Sequence, residues 1–345
     1  MSTDKSLVKG ISISENYIPY TTITRTDNSV KISLKKQNII SLDFKCYTVL
    51  PGLYLAENDV RIIERYTQDD IIFRFSREEE FLLINYLVEG QCQIPADNDK
   101  FMFMKEGDTH IYLNRDKRTI FNHITDSKLI HIIINKKEFL KYNKDNYMSE
   151  YSRIIKTIYD FIYHTNNITF ESSEDIKEVL QQIIHFKDNN KLPKHMYVQL
   201  KTLELIGLTY ISKIEKNRIE SPTYSDAQIR VVRKIKNALS RDIASYVSLD
   251  VLSVTYGINL TTLKNCFRDM YGKPLYTWYR EYKFHRAKEL IKNTDYPIAK
   301  IANMVGYKSS SKFSKAFKKE MGALPSSYRK NKYVFFQYFF LCKLF

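Results

Sequence analysis

The stretch from Ser248 to Gly272, SLDVLSVTYGINLTTLKNCFRDMYG, decides the fold of its region because a version of it occurs twice. The second copy, PIAKIANMVGYKSSSKFSKAFKKEMG, runs from Pro297 to Gly322. Each copy contains a short apolar helix pattern, a glycine, a capping residue and a longer amphipathic helix pattern that ends in another glycine. That order is typical of a helix-turn-helix unit, in which the second helix enters the major groove of DNA. The sequence therefore predicts two such units.

The two copies correspond residue by residue. In each turn a glycine stands where positive φ is expected. The residue that opens each second helix carries a side-chain oxygen, which can accept a hydrogen bond from the first-turn N–H groups. The paired positions are Gly257 with Gly306, Asn259 with Ser309, Leu263 with Phe313, Phe267 with Phe317, and Gly272 with Gly322.

The outward face of each second helix supplies the candidate DNA contacts. Helical spacing turns the apolar residues inward and leaves the polar ones on the opposite side. Asn bonds adenine in a bidentate way, Lys reaches guanine or a phosphate, and basic residues further along the helix suit phosphates. The candidates are Thr261, Thr262, Asn265 and Arg268 in the first unit, and Ser311, Lys312, Lys315 and Lys318 in the second.

The positive charge of the chain is concentrated around this repeat. The 345 residues carry a formal net charge of +15. Residues 223–345 hold 23 of the 54 Lys and Arg residues but only 8 of the 39 Asp and Glu residues, whereas residues 1–222 hold 31 of each. A basic module attached to a neutral one predicts a polyanionic partner, double-stranded DNA, for the C-terminal third alone.

The remaining chain divides into segments of different periodicity. Short apolar runs broken by turn signals over residues 40–135 predict a small antiparallel sandwich or barrel. Apolar residues three and four apart predict amphipathic helices over residues 136–217. Residues 1–39 show no clear pattern, and the apolar tail at residues 332–345 is too short to span a bilayer.

The C-terminal third resembles the AraC/XylS family of bacterial regulators over about one hundred residues. The family signature GFxxxSxFxxxFKxxxGxxPxxYR begins at the turn of the second unit. The chain departs from the family at Asn265, where an Arg is frequent, and at the equivalent Lys315, so the family's base contacts cannot be copied. The matching residues are Gly306, Tyr307, Ser311, Phe313, Phe317, Lys318, Gly322, Pro325, Tyr328 and Arg329.

The resemblance implies an α+β chain of several parts. An N-terminal cupin-like antiparallel β-barrel that binds an effector would occupy residues 40–135, and a helical connector used for dimerisation would occupy residues 136–217. An all-α DNA-binding domain would occupy residues 218–331, with a rigid linker helix at about 275–293 that sets the recognition helices roughly 34 Å apart. RNA polymerase and a second copy of the chain are the implied protein partners. The polar opening MSTDKSLVKG predicts no secretory signal, hence a cytoplasmic protein without a membrane partner.

A narrower resemblance concerns the effector. GINLTTLKNCFRDMYG and the upstream QLKTLELIGLTYI are similar to the branch of the family that includes pyochelin-type siderophore regulators. This likeness implies a ferric siderophore as effector. A regulator of sugar or other metabolite uptake with an unrelated effector is the alternative.

Enzyme and metal chemistry have little support in the sequence. His110, His123 and His131 lack the HxH spacing followed by Glu that metal-binding barrels use, so we expect each to be a strand-edge or surface residue. The four cysteines form no CxxC pair, and no catalytic motif is present. We therefore expect no cofactor and no enzyme activity. An enzyme with a barrel active site, and a non-specific architectural DNA-binding protein, are the rival interpretations.

Overall fold

The structure is a computed structural model that describes residues 6–8, 11–13, 15–36, 40–62, 73–75, 79–96, 100–114, 122–123, 125–142, 149–187, 192–212, 222–245 and 247–329. The chain forms two compact units, Met1–Tyr224 and Ser225–Phe345. The domain bounds expected from the sequence, including a DNA-binding domain over 218–331, stay predictions. The predicted apolar tail, 332–345, lies outside the described residues.

The N-terminal unit is built mainly of antiparallel strands. Its strands are β1 (Ser6–Val8), β2 (Ile11–Ile13), β3 (Thr21–Arg25), β4 (Ser29–Lys36), β5 (Ile40–Leu50), β6 (Leu53–Ile62), β7 (Phe73–Phe75), β8 (Phe81–Glu89), β9 (Gln91–Pro95), β10 (Lys100–Lys105), β11 (Asp108–Leu113), β12 (Asn122–His123), β13 (Ser127–Asn135) and β14 (Asn167–Glu171). A two-residue strand, β15 (Tyr224–Ser225), lies at the boundary between the units.

The same unit contains a 3₁₀ helix and four α-helices. They are the 3₁₀ helix Glu15–Tyr20, α1 (Lys136–Tyr142), α2 (Ser149–Thr165), α3 (Glu174–His185) and α4 (Lys194–Ile211). In the described ranges, no helix of either unit combines the length and the apolarity needed to cross a bilayer.

The main sheet has eight strands in the order β14-β11-β8-β13-β6-β5-β4-β3, and its two faces are buried by different partners. Ile84 and Ile132 share one core with α2, α3 and α4. Leu83 and Ile133 lie in a second core with β2 and the 3₁₀ helix. Because both faces of β8 and β13 are covered, these strands read as nearly continuous apolar runs.

Three sequence predictions for this unit need correction or stay open. Residues 1–39 show no clear pattern in the sequence, yet β4 pairs with β5, and its residues Ile32 and Leu34 are completely buried. Residues 136–217 were predicted to be helical, yet β14 interrupts the helices, because it pairs with β11, which is distant in sequence. The described pairings leave β14 and β3 as the two edges of the sheet, so the closed cupin-like barrel is not confirmed.

The C-terminal unit is all-helical, as predicted. It consists of α5 (Asp226–Arg241), α6 (Leu249–Tyr256), α7 (Leu260–Tyr271), α8 (Leu275–Asn293), α9 (Ile298–Met304) and α10 (Ser310–Met321). The pairs α6–α7 and α9–α10 are the two predicted helix-turn-helix units, and α8 is the predicted linker helix. Gly272 and Gly322 end α7 and α10 as the expected C-caps.

The two turn glycines both have positive φ, but the space available for a side chain differs between them. Gly257 has φ +62° and Gly306 has φ +83°, so both are in the left-handed region. A Cβ on Gly306 would overlap the backbone carbonyl oxygen of Ala244, whereas a Cβ on Gly257 would meet open space. The second turn is therefore closed against the segment that precedes α6.

We predict that Gly306→Ala destabilises the C-terminal unit far more than Gly257→Ala. The Gly257 variant should lose only the cost of positive φ for an L-residue, about 1–2 kcal/mol. The Gly306 variant must also displace backbone, so its loss should exceed about 3 kcal/mol. Urea unfolding followed by the fluorescence of Trp278, the single tryptophan, reports on this unit directly. Equal losses in the two variants would contradict the role assigned to the Ala244 contact.

Candidate nucleic-acid interface

Side-chain caps open both recognition helices as predicted. Asn259 Oδ1 accepts hydrogen bonds from the backbone N–H groups of Thr261 (2.9 Å) and Thr262 (3.3 Å). Ser309 Oγ accepts one from the backbone N–H of Lys312 at 3.4 Å. These bonds fix where each helix starts, and so fix which side chains follow on its outer face.

Helix α7 separates into an inner apolar face and an outer polar face. The inner residues Leu263, Cys266, Phe267 and Met270 are buried. Burial raises the pKa of the Cys266 thiol to about 12, so this thiol is a core group at neutral pH. Of the predicted contact residues, Thr261 and Arg268 are exposed, and Thr262 and Asn265 are half-buried.

Helix α10 repeats this arrangement with more charge. Phe313 and Phe317 are fully buried. The predicted contact residues Ser311, Lys312, Lys315 and Lys318 are all exposed. The structure therefore brings each unit's candidate residues onto one outer helix face.

The two outer faces differ in electrostatics. Arg268 Nε lies 3.3 Å from Asp269 Oδ1, so the basic end of α7 is partly neutralised by its own neighbour. In the described chain, no carboxylate lies within ion-pair distance of Lys312, Lys315 or Lys318. We therefore expect α10 to contribute more of the electrostatic affinity for phosphates and α7 more of the uncharged hydrogen bonding.

Aromatic side chains of helix α8 pack against both recognition helices. The Trp278 ring, predicted to be a packing anchor, lies 5.5 Å from the Phe267 ring of α7. Further along α8, the Phe284 ring lies 6.2 Å from Phe313 and 6.0 Å from Phe317 of α10. Since these rings are on one continuous helix, the spacing of α7 and α10 is set by the length and twist of α8.

An ion pair and hydrogen bonds also connect α8 to its neighbours. Arg280 Nε of α8 lies 3.2 Å from Glu320 Oε2 of α10. The Tyr279 hydroxyl donates to the carbonyl oxygens of Ser245 (2.8 Å) and Asp242 (3.2 Å), in the segment before α6. The entry to the first unit is thereby tied to the same helix.

Several signature residues prove to be structural. The Tyr328 hydroxyl donates to the Met321 carbonyl oxygen at 2.8 Å, which closes the chain after α10. Arg329 donates from Nη2 to the carbonyl oxygen of Tyr296, before α9. Pro325 is buried. These contacts explain the signature by packing around α10 rather than by contact with DNA.

One exposed residue of the outer face was missed by the sequence analysis. Lys264 lies three residues after Thr261 and four before Arg268, and it is exposed like both of them. Its helical spacing could have identified it. We add it to the candidate phosphate contacts of α7.

The expectation for the histidines of the N-terminal unit was wrong at two positions. His110 is completely buried and His131 is 6% exposed, so neither is a surface residue. The side chain of His123 lies outside the described part. Over the described residues, no group of three or more His, Cys, Asp or Glu side chains is placed to hold a metal ion.

Comparisons with known proteins place a helix-turn-helix match in the C-terminal unit. Residues 252–331 match the family described as "Helix-turn-helix domain". The chain is 29% identical over 103 residues to the transcriptional regulator ExsA of Pseudomonas aeruginosa, which covers 30% of this chain and 37% of that protein. It is 32% identical over 130 residues to the arabinose operon regulatory protein of Escherichia coli, which covers 36% and 44% respectively.

One relative matches over a longer stretch. The chain is 23% identical over 243 residues to the transcriptional activator RhaR of Mannheimia succiniciproducens, which covers 68% of this chain and 77% of that protein. The matches to ExsA and the arabinose regulator span less than half of those proteins. Among solved structures, the C-terminal domain of the response regulator AraT from Geobacillus stearothermophilus is 26% identical, with a TM-score of 0.28, covering 29% of this chain and 84% of that one.

We predict that Lys315→Ala reduces discrimination between a specific duplex and a scrambled one by about tenfold or more, as expected for a lost base contact. Lys292→Ala is the matched control, because it removes the same charge from an exposed position at the end of α8. It should leave discrimination unchanged. Fluorescence anisotropy with both duplexes measures the ratio. If Lys315→Ala weakens both duplexes equally, Lys315 does not read bases.

Proposed function

We propose that this chain, whose C-terminal unit is an AraC-type helix-turn-helix domain, is a transcription regulator that binds specific DNA sequences. The observation that carries the proposal is the pair of capped helices α7 and α10, each with polar or basic side chains on its outer face. The positive charge of the same third of the chain favours a polyanion. Relatives named as transcription regulators support the same function.

In this proposal α7 and α10 enter successive major grooves, about 34 Å apart, from one face of the duplex. Two different outer faces favour an asymmetric site in which each helix reads its own bases. The proposed base readers are Thr261, Thr262 and Asn265 of α7, and Ser311, Lys312 and Lys315 of α10. Arg268 and Lys318 are proposed to bond phosphates, which sets the register without reading sequence.

We further propose that a small-molecule effector binds the N-terminal unit and changes DNA binding. Such coupling requires that the effector bind two states of the protein with different affinity. The likeness of QLKTLELIGLTYI to siderophore regulators supports a ferric siderophore. Relatives named for the arabinose and raffinose operons support a sugar as the alternative. RNA polymerase and a second copy of the chain are the proposed protein partners, and the cytoplasm is the proposed location.

Occupancy of the chromosome tests the function as a whole. We expect the tagged full chain to occupy discrete sites of about twenty base pairs, the footprint of two recognition helices and their flanking phosphate contacts. Genome-wide footprinting with and without iron limitation, and with and without added sugars, would identify the sites and the effector class together. Occupancy spread evenly over the chromosome would favour the non-specific architectural alternative.

Salt dependence tests the phosphate contacts separately. We predict that Lys318→Ala weakens specific and scrambled duplexes by the same factor. It should also reduce the slope of log affinity against log salt by about 0.9, the value for one released counterion on B-DNA. Titrations at several salt concentrations give the slope. An unchanged slope would remove Lys318 from the phosphate contacts.

A further inference from the structure

The connection between α5 and α6 lies against both helix-turn-helix units. It runs over residues 242–248, of which all but 246 are described, and it leads directly into the first unit at Ser248, the N-cap of α6. Ile243 nevertheless packs against the apolar cluster that the second half of α8 forms with α9 and α10, which includes Ile301 and Phe313. An apolar side chain that precedes the first unit thus contributes to the packing around the second.

The turn of the second unit lies directly on the backbone of this connection. A Cβ on Gly306 would be 2.4 Å from the carbonyl oxygen of Ala244 and 3.2 Å from its Cα. No side chain fits into such a gap, so the two backbones are in close contact. A Cβ on Gly257, at the equivalent place of the first unit, would meet no atom within 4 Å. The close contact is therefore specific to the second turn.

Tyrosine hydroxyls of α8 hold the backbone of the connection. The Tyr279 hydroxyl lies 2.8 Å from the carbonyl oxygen of Ser245 and 3.2 Å from that of Asp242, and donates to them. The Tyr276 hydroxyl donates to the carbonyl oxygen of Val247 at 3.1 Å. A carbonyl oxygen bonded in this way cannot shift without losing its partner. The connection is therefore attached to α8 along most of its length.

Hydrogen bonds within the connection make it stiff. Asp242 Oδ2 accepts from the Ser245 hydroxyl at 2.6 Å, and Asp242 Oδ1 accepts from the Ser245 backbone N–H at 3.3 Å. Bonds of this kind from an Asp side chain close a local turn of the backbone. The same two bonds from Ser245 hold the pKa of the Asp242 carboxyl below its usual range, so the carboxylate stays an acceptor at neutral pH.

Helix α8 fixes the separation of the two recognition helices but not, by itself, the angle between them. Its aromatic contacts with them are made at Trp278 and Phe284, roughly 9 Å apart along the helix. Long helices curve, because hydrogen bonds on their solvent side lengthen slightly. A small bend between these two contacts would tilt α10 relative to α7. A stiff connection that is attached to α8 and lies against the second turn resists that tilt.

We propose that the α5–α6 connection sets the angle between the two recognition helices, and that Tyr279 and Ile243 are positioning residues for the spacing of the DNA half-sites. Tyr279 holds the connection on α8, while Ile243 and the Ala244 backbone pack against the second unit. A DNA site must then present its half-sites at one spacing, because neither recognition helix can tilt to reach another. This consequence for DNA rests on the proposed function, whereas the fixed angle does not.

Distance distributions in the full chain without DNA test the fixed angle. Spin labels at Lys264→Cys and Lys319→Cys, two exposed positions on α7 and α10, report the separation of these helices by double electron–electron resonance. The three cysteines of the described residues are buried, and burial raises the pKa of their thiols, so they resist labelling. Cys342→Ser removes the remaining cysteine in every sample.

We expect one narrow distance for the parent chain. Tyr279→Phe and Ile243→Ala should each widen the distribution at least about twofold, because α8 is then free to bend. Tyr328→Phe is the matched control, since it removes a tyrosine hydroxyl bond of the same 2.8 Å length, to the Met321 carbonyl oxygen, that lies within the second unit. It should leave the distribution unchanged. An unchanged distribution in both Tyr279→Phe and Ile243→Ala would overturn the proposal.

Half-site spacing tests the consequence for DNA. A duplex that the parent chain selects from a random library is lengthened or shortened by one base pair between its two contacted segments, which shifts one half-site by about 3.4 Å. The parent should bind the altered duplexes about tenfold more weakly, and the two variants only about twofold more weakly. Undiminished discrimination in both variants would overturn the positioning roles. A library that yields no enriched duplex would contradict the proposed function but not the fixed angle, which the spin labels measure.

Discussion

The aromatic packing along α8 is the constraint on which the proposed DNA-binding surface depends. Trp278 contacts the first recognition helix and Phe284 contacts the second. Because both residues are on α8, this one helix positions both recognition helices. The ion pair between Arg280 of α8 and Glu320 of α10 adds a polar link between these two helices. Because a helix changes length only by breaking hydrogen bonds, the separation of the recognition helices is a fixed property of the unit. A DNA site must match that separation.

The outer faces of α7 and α10 also differ in charge. Lys312, Lys315 and Lys318 of α10 are exposed and form no ion pair within the described chain, whereas Arg268 of α7 lies beside Asp269. Phosphate attraction is long-ranged and independent of sequence, while hydrogen bonds from Thr and Asn side chains are short-ranged and directional. In the proposed function both helices read bases, while α10 supplies more of the phosphate attraction and α7 supplies more of the uncharged hydrogen bonding.

The sequence predicted features that are set locally and missed those set by distant pairing. The caps at Asn259 and Ser309 depend on bonds within one helical turn, so the repeat revealed them. The exposed position of Lys264 on the outer face of α7 also follows from helical spacing. In contrast, β14 and the burial of His110 and His131 depend on strands far apart in the chain, which periodicity does not report. The sheet was expected, but which of its residues lie opposite each other requires the cross-strand register.

The central claim is that the two recognition helices, positioned by α8, bind one DNA duplex at the same time. Hydroxyl-radical footprinting of the full chain on a bound site tests it most directly, because protection of the backbone is seen nucleotide by nucleotide. The account predicts two protected segments on one face of the duplex, with centres about 10 base pairs apart. A single protected segment, or two segments at another spacing, would contradict it.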